Sequence, residues 1–419
     1  LYGVRAGLLA LALVSFSPNI LAFGSIATAD IAGVLFGFLA MYAFWRYTIK
    51  PTKKRLLMAA LFFGLAQAAK LLSVFLIPFF ILYALIIYFS RDFKADFFPD
   101  FKGRKLKKSS DLFLSLAAIF LAGLLIINIA YLFDGSFTPL KQYDKDKFLS
   151  SSFKKMYDSK LINWIPIPLP KPYVIGHDIS QWNANDQVRG FFFMGEVGER
   201  FRSYYLVHIL IKTPIALFLL LILGFLYFRK ITYPEIYMLL YIIMIIALLS
   251  LFSKLLVGYR HVLSIYPLMI ILSSRILKDG IPKNRIIAIT AALSVGWYIL
   301  SSLYIFPNHL AYFNEFIGGP KNGYKYTIDS NLDWEQDLYL VRNYINGRES
   351  EFAIDPGCVA FTGKAIIPAN SLQFQKWVCY QWLKQNFEPI DYIGYSWLVY
   401  DVRGVWQQTE NGYIFTKTS

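Results

Sequence analysis

Runs of roughly 17–25 apolar residues recur along this chain, each long enough to cross a hydrocarbon layer of about 30 Å. Lipid offers peptide groups no hydrogen-bond partner, so each such run must be helical. The runs fall at about 5–22, 28–47, 56–69, 71–90, 111–133, 204–228, 233–253, 258–277 and 284–306. Charged residues make up 16% of the 419 residues, against about a quarter in soluble domains, and they gather in the connectors. The expected fold class is an α-helical polytopic membrane protein with a small C-terminal extracytoplasmic α+β domain.

Charge orients the runs. Arg46, Lys50, Lys53, Lys54 and Arg55 follow the second run, and the connector 91–108 carries seven more Lys and Arg. Both belong on the cytoplasmic side by the positive-inside rule. An even number of crossings must separate them, so 56–69 and 71–90 form a hairpin rather than one helix. Arg229, Lys230, Arg275, Lys278, Lys283 and Arg285 then fall inside. Lys70, the turn 254–260, the loop 134–203 and everything after about 307 fall outside. The expected units are 1–133 and 204–306 in the membrane, the loop 134–203, and the domain 307–419. The expected location is a prokaryotic cytoplasmic (inner) membrane.

The net charge of +15 does not indicate nucleic-acid binding, because no basic patch alternates with stacking aromatics outside the apolar runs. The chain opens on Leu1, with no basic leader ahead of its first apolar run; this predicts further sequence upstream. The Pro-rich stretch WIPIPLPKP (164–172) favours extended backbone. After 307 the sequence turns polar. DYIGYSWLVYDV (391–402) and NGYIFTKT (411–418) alternate as strands do, and a helix is expected near 334–346. Cys358 and Cys379 both lie there, where an external compartment would permit a disulfide.

Charged groups at span ends are costly, so each is a candidate. Asp30 opens the second run and reads either as a helix N-terminal acid or as a functional one. Lys70, at the hairpin tip, is either a snorkelling lysine or a functional outward cation. Arg260 suits a phosphate in bidentate fashion, and His261 beside it reads as a ligand or as a structural histidine. The segment 311–338 packs Asn314, Glu315, Asp329, Asn331, Asp333, Trp334, Glu335 and Asp337 around Gly318, Gly319, Pro320 and Gly323. Such carboxylates could hold a divalent cation or a hydroxyl-rich group; equally, they could cap a membrane-to-domain junction. No Walker, Rossmann, HExxH or CxxC pattern occurs.

These stretches resemble a known family. They are LYGVRAGLLALALVSFSPNILAFGSIATAD (1–30), GLAQAAKLLSVFLIP (64–78), GFFFMGEVGERFRSYYLVHILIKTP (190–214), GYRHVLSIYPL (258–268), FPNHLAYFNEFIGGPKNGYKYTIDSNLDWEQDL (306–338) and FEPIDYIGYSWLVYDV (387–402). The chain resembles polyprenyl- or dolichyl-phosphate-dependent glycosyltransferases of the GT-C class, the superfamily of protein O-mannosyltransferases and aminoarabinose transferases.

The resemblance implies a sugar carried on a polyprenyl or dolichyl monophosphate. A hydroxyl acceptor (protein Ser/Thr, lipid or envelope glycan) attacks the anomeric carbon with inversion, outside the cytoplasm. Lys70 and Arg260, with His261, match donor-phosphate positions. Asp30 matches a second, assisting acid, its ATAD standing where the family has a TTD-like stretch. The principal acid is expected upstream of Leu1. Asn314, Glu315, Asp329, Asn331, Asp333 and Trp334 are the substrate-binding candidates. A transporter or flippase would need charged or broken helices at mid-membrane; a non-catalytic envelope scaffold is the third reading.

Overall fold

The computed structural model describes residues 1–90, 109–186, 190–375, 379–409 and 412–417. The basic connector 91–108, on which part of the orientation argument stands, lies outside the described residues.

The first apolar run is two helices, α1 (Gly3–Ser15) and α2 (Pro18–Ser25), bent by 52°. Pro18 cannot continue the first helix, and the Ser17 hydroxyl accepts from Ile20 N at 3.2 Å to cap the second. α3 (Asp30–Ile49) and α4 (Lys53–Ala69) follow. Lys70 ends α4 in an extended conformation, a 3-10 turn spans Leu71–Phe75, and α5 (Leu76–Ser90) continues. The rings of Phe63 and Phe80 lie 5.9 Å apart. Seventeen residues of straight helix would hold them about 25 Å apart, so the chain reverses at Lys70, as the charge argument requires.

α6 (Ser109–Ala130) packs against α4 through facing glycines. A Cβ on Gly64 would meet Ile126 at 2.5 Å, and one on Gly123 would meet Phe63 at 2.6 Å. Small residues of this kind let apolar helices approach without a hydrophobic drive between them. Aromatic rings fill the neighbouring layer: Phe44 stacks on Phe80, with centroids 4.2 Å apart, and Tyr83 meets Tyr237 edge-on at 4.5 Å.

The loop 134–203 is folded. It holds α7 (Ser151–Asp158), α8 (Lys171–Gln181) and the hairpin β1 (Phe191–Phe193) and β2 (Glu196–Gly198). The Pro-rich stretch leads from a turn into α8 at Lys171 and is tied to its neighbours on the way. Phe137 N donates to Ile167 O at 2.8 Å, and the Asn128 amide donates to Pro168 O at 3.0 Å.

The run 204–228 is not one helix. α9 (Tyr204–Lys212) and α10 (Ile215–Tyr227) meet at 95°. Pro214 has no N–H to continue the ladder. The bend also lets the buried Lys212 ammonium reach Leu310 O and Asn331 O, each at 2.6 Å. α11 (Tyr233–Phe252), α12 (Tyr266–Ser274) and α13 (Arg285–Ile305) complete the helices of this region. The run 258–277 begins with two 3-10 turns, Tyr259–His261 and Leu263–Ile265, before α12. Arg275, which the sequence reading sets on the cytoplasmic side near the end of the run 258–277, is fully buried and pairs with the equally buried Glu235 at 3.0 Å. The Tyr2 hydroxyl donates to that carboxylate at 2.6 Å.

Among the described residues, five helices are long and apolar enough to cross a membrane, and up to seven if each bent pair is one span.

After a short α14 (Gly323–Tyr326), α15 (Leu338–Ile345) lies under a mixed sheet. Its strands β3 (Phe352–Ile354), β4 (Gly363–Pro368), β5 (Asp391–Ile393) and β6 (Trp397–Val402) lie in the order β3-β4-β6-β5. Alternation along the strands sends Ile366 and Val399 into the core with Val341 and Ile345 of α15. It sends Ala365, Ile367, Leu398 and Tyr400 into a second core with Phe313, Leu332 and Ile211. α16 (Gln381–Asn386) and the hairpin β7 (Gly404–Thr409) and β8 (Gly412–Lys417) finish the chain. A disulfide joins Cys358 and Cys379, with Cα atoms 4.6 Å apart.

Candidate active site at the hairpin tip

Two cations, one of them 230 residues away in sequence, converge on one carboxylate. Asp30 is the first residue of α3, where the helix N-terminus favours an acid, and its side chain is fully buried. The Lys70 ammonium forms an ion pair with Asp30 Oδ1 and also donates to Arg260 O at 3.2 Å. Arg260 Nη2 lies 2.9 Å from Asp30 Oδ2, and Nε lies 3.4 Å from Oδ1. Two cations on one carboxylate leave one positive charge in excess.

Glycine makes the approach possible. A Cβ on Gly33, one turn after Asp30, would sit 2.7 Å from Lys70 Cβ. The hairpin tip is itself tied down, since the Gln67 amide donates to Ser73 O at 2.7 Å.

Arg260 and His261 are delivered by the turn after Gly258, whose φ of +90° is the left-handed region open to glycine. Asn331 Oδ1 fills the place a Cβ would take there and accepts from Tyr259 N at 2.8 Å. His261 Nδ1 lies 3.2 Å from the Tyr205 hydroxyl, whose proton goes to Leu255 O. The hydroxyl therefore accepts from Nδ1–H, and Nε2 keeps its lone pair. The Arg260 guanidinium carbon stands 4.6 Å from the ring centroid of Trp334.

A cavity of about 980 Å³ opens beside this cluster, with Lys70 and His261 on its wall. The rest of the lining is mainly apolar, including Leu72, Phe75, Met156, Leu169, Leu249 and Phe252. Its size is at the top of the usual range for ligand pockets, about 300–1,000 Å³. Arg260 faces instead a cavity of about 20 Å³, which Lys70 and His261 also line. That is room for a water rather than a ligand.

The other candidates sit elsewhere. The Asn314 amide donates to Leu210 O at 2.5 Å and Thr213 O at 2.7 Å, bracing the α9–α10 bend. Glu315 accepts from Trp297 Nε1 at 2.8 Å. The Asn331 amide reaches Tyr204 Oη at 3.1 Å and Thr327 Oγ1 at 2.9 Å, in addition to its hold on Tyr259. Asp329 sits at φ +59° and accepts through its carbonyl from Leu332 N at 2.8 Å. Asp333 accepts from Glu335 N at 2.8 Å, and Asp337 from the Ser396 hydroxyl at 2.6 Å. Burial pushes both carboxyls up to about 6. Among the described residues, no three His, Cys, Asp or Glu side chains group to hold a metal ion.

The reading by residue type did not select Gly33, Gly258, Tyr205 or the α8 residues His177, Ser180 and Gln181, which also line the cavity. Gly258 opens the quoted stretch GYRHVLSIYPL and could have been found there; the α8 residues carry no local signal.

Residues 1–97 match the family model described as dolichyl-phosphate-mannose-protein mannosyltransferase. This segment carries Asp30, Gly33 and Lys70, and the likeness to GT-C glycosyltransferases read from the residues is shown over it. Apolar helices together with this match support an integral membrane protein. No curated protein and no solved structure matches the chain.

Proposed function

We propose that this protein moves a glycosyl group from a polyprenyl monophosphate carrier to a hydroxyl acceptor at the extracytoplasmic face of the membrane. The observation that carries the reading is the placement of Lys70 and His261 on the wall of a large, mainly apolar cavity. An isoprenoid chain needs apolar walls, and its phosphate needs a cation at the end. The excess positive charge of the Lys70–Asp30–Arg260 cluster supplies that cation.

In this mechanism the acceptor oxygen forms a bond to the anomeric carbon while the bond from that carbon to the phosphate oxygen breaks. The electron pair leaves with the phosphate, which becomes a more highly charged anion. Lys70 stabilises that charge, and His261 accepts a hydrogen bond at Nε2 from a protonated headgroup oxygen. Asp30 holds Lys70 in place, and Arg260 completes the neutralisation of Asp30. With both its oxygens facing cations, Asp30 is an assisting anchor. The acceptor's proton goes to a separate carboxylate. The acceptor is a protein Ser/Thr hydroxyl, a lipid or an envelope glycan.

The same reading sets the loop 134–203 and the tail after 307 outside an inner membrane. The Cys358–Cys379 disulfide supports that side, since such bonds persist in oxidising compartments. The test is transfer of labelled mannose from synthetic polyprenyl-phosphate mannose by the full-length protein in membranes. Loss of turnover in Asp30→Asn, Lys70→Ala and Arg260→Ala is expected. Unchanged turnover in all three would overturn the site.

A further inference from the structure

We infer that α8 is the wall that selects the group carried on the lipid phosphate, acting through His177, Ser180 and Gln181. This rests on reading the large cavity as the donor site. Val174, His177, Gln181 and Ala184 follow one another at helical spacing, and with Ser180 they form one stripe along the cavity. The rest of the wall is poor in hydrogen-bonding side chains. Apart from Lys70 and His261, the polar lining is His177, Ser180, Gln181, Asn185 and Ser253. Four of these five come from α8 and the turn after it.

His177, Ser180 and Gln181 form no side-chain hydrogen bond to another described residue; His177 touches the Tyr173 ring edge-on at 4.8 Å. Burial lowers the His177 imidazole below its ordinary range. It is therefore neutral near pH 7, offering one donor and one acceptor. Together the three side chains match the alternating donors and acceptors of sugar hydroxyls. The described lining contains no Asp or Glu, so a cationic amino sugar would find no counter-charge. An uncharged, hydroxyl-rich sugar fits this wall.

The stripe is held rigidly. The buried Asp178 accepts from Leu149 N at 2.8 Å, Ser150 N at 3.0 Å and Ser150 Oγ at 2.6 Å. On the opposite side, a Cβ on Gly176 would stand 3.4 Å from Leu71, the residue next to Lys70. The wall is thus keyed to the phosphate end of the cavity, and rigid placement is what discrimination between epimers requires.

The experiment measures Kd for the full chain in nanodiscs with four probes: bare polyprenyl phosphate and its mannosyl, glucosyl and 4-aminoarabinosyl derivatives. His177→Ala and the double variant Ser180→Ala/Gln181→Ala should each weaken the two hexosyl probes at least tenfold and change the mannose-to-glucose ratio at least fivefold. Bare polyprenyl phosphate should stay within twofold, which also reports an intact fold. The 4-aminoarabinosyl probe should bind the parent protein more weakly than either hexosyl probe. Equal losses for bare and glycosylated probes, or an unchanged epimer ratio, would overturn the role of α8. Lys70→Ala separates this from the donor reading: if that variant binds bare polyprenyl phosphate as well as the parent does, the donor site itself is wrong.

Discussion

The guanidinium of Arg260 lies over the ring of Trp334, 4.6 Å from its centroid. One partner comes from the turn before α12 and the other from the junction leading into the C-terminal α+β domain. The contact holds the open face of an arginine whose other edge is committed to Asp30. A cation–π pair of this kind contributes about 0.5–2 kcal/mol. Trp334→Ala should therefore raise the donor KM roughly 2- to 30-fold by that energy, and Trp334→Phe should recover most of the loss. Steady-state kinetics with the mannosyl donor checks this.

Asp30 is fully buried between two cations. Removing one member of a buried pair commonly costs about 3–5 kcal/mol, because the remaining charge is left without compensation. Asp30→Asn should lower the thermal unfolding midpoint in detergent. Asp30→Asn/Lys70→Met should unfold at a higher temperature than Asp30→Asn alone, since it removes the orphaned ammonium. Additive losses in that double-mutant cycle would refute the coupling.

Gly33 and Gly37 are one turn apart on α3 but differ in what surrounds them. A methyl on Gly33 would press on Lys70 Cβ at 2.7 Å, whereas one on Gly37 meets nothing within 4 Å. Cβ lies next to the main chain, so the hairpin tip itself would have to move. Overpacking of this sort costs about 1–3 kcal/mol. Gly33→Ala should cut turnover by an order of magnitude or more, and Gly37→Ala should leave it near the parent value.

Asp333 and Asp337 are carboxyls that burial raises to about 6. The folded state therefore holds protons that the unfolded state releases between pH ~4 and ~6. Stability falls as pH rises through that window, with a limiting slope near 1.4 kcal/mol per pH unit for each group. Above about 6 the penalty is complete. Asp333→Asn keeps an acceptor for Glu335 N but cannot ionise. It should flatten the dependence and raise the unfolding midpoint at pH 7, as read by thermal unfolding of the full chain from pH 4 to 8.

Much of the helical layout was legible because apolar length and basic connectors are one-dimensional signals. The reversal at Lys70 followed from charge parity alone. The 95° bend was missed, although Pro214 and Lys212 both stand inside the run that hides it. A single hydropathy window averages over a proline and over a lysine whose partners, Leu310 O and Asn331 O, are about a hundred residues away. The pairing of Arg275 was not legible for a similar reason: its partner Glu235 belongs to another helix. At the site, Asp30, Lys70, Arg260 and His261 stood out as charge or histidine where apolar runs end. The cavity wall on α8 did not, because His177, Ser180 and Gln181 acquire a role only once α8 is laid against Leu71.

Asn331 holds Tyr259, and Lys212 holds Asn331, so the loop that presents Arg260 is fastened to both the broken helix and the tail. The consequence concerns how such proteins can be recombined. A tail exchanged with that of a relative at residue 307 would arrive with a foreign clasp and leave Arg260 adrift. A workable chimera must carry 204–213, 258–261 and 311–334 as one inheritance, with crossover points chosen outside all three.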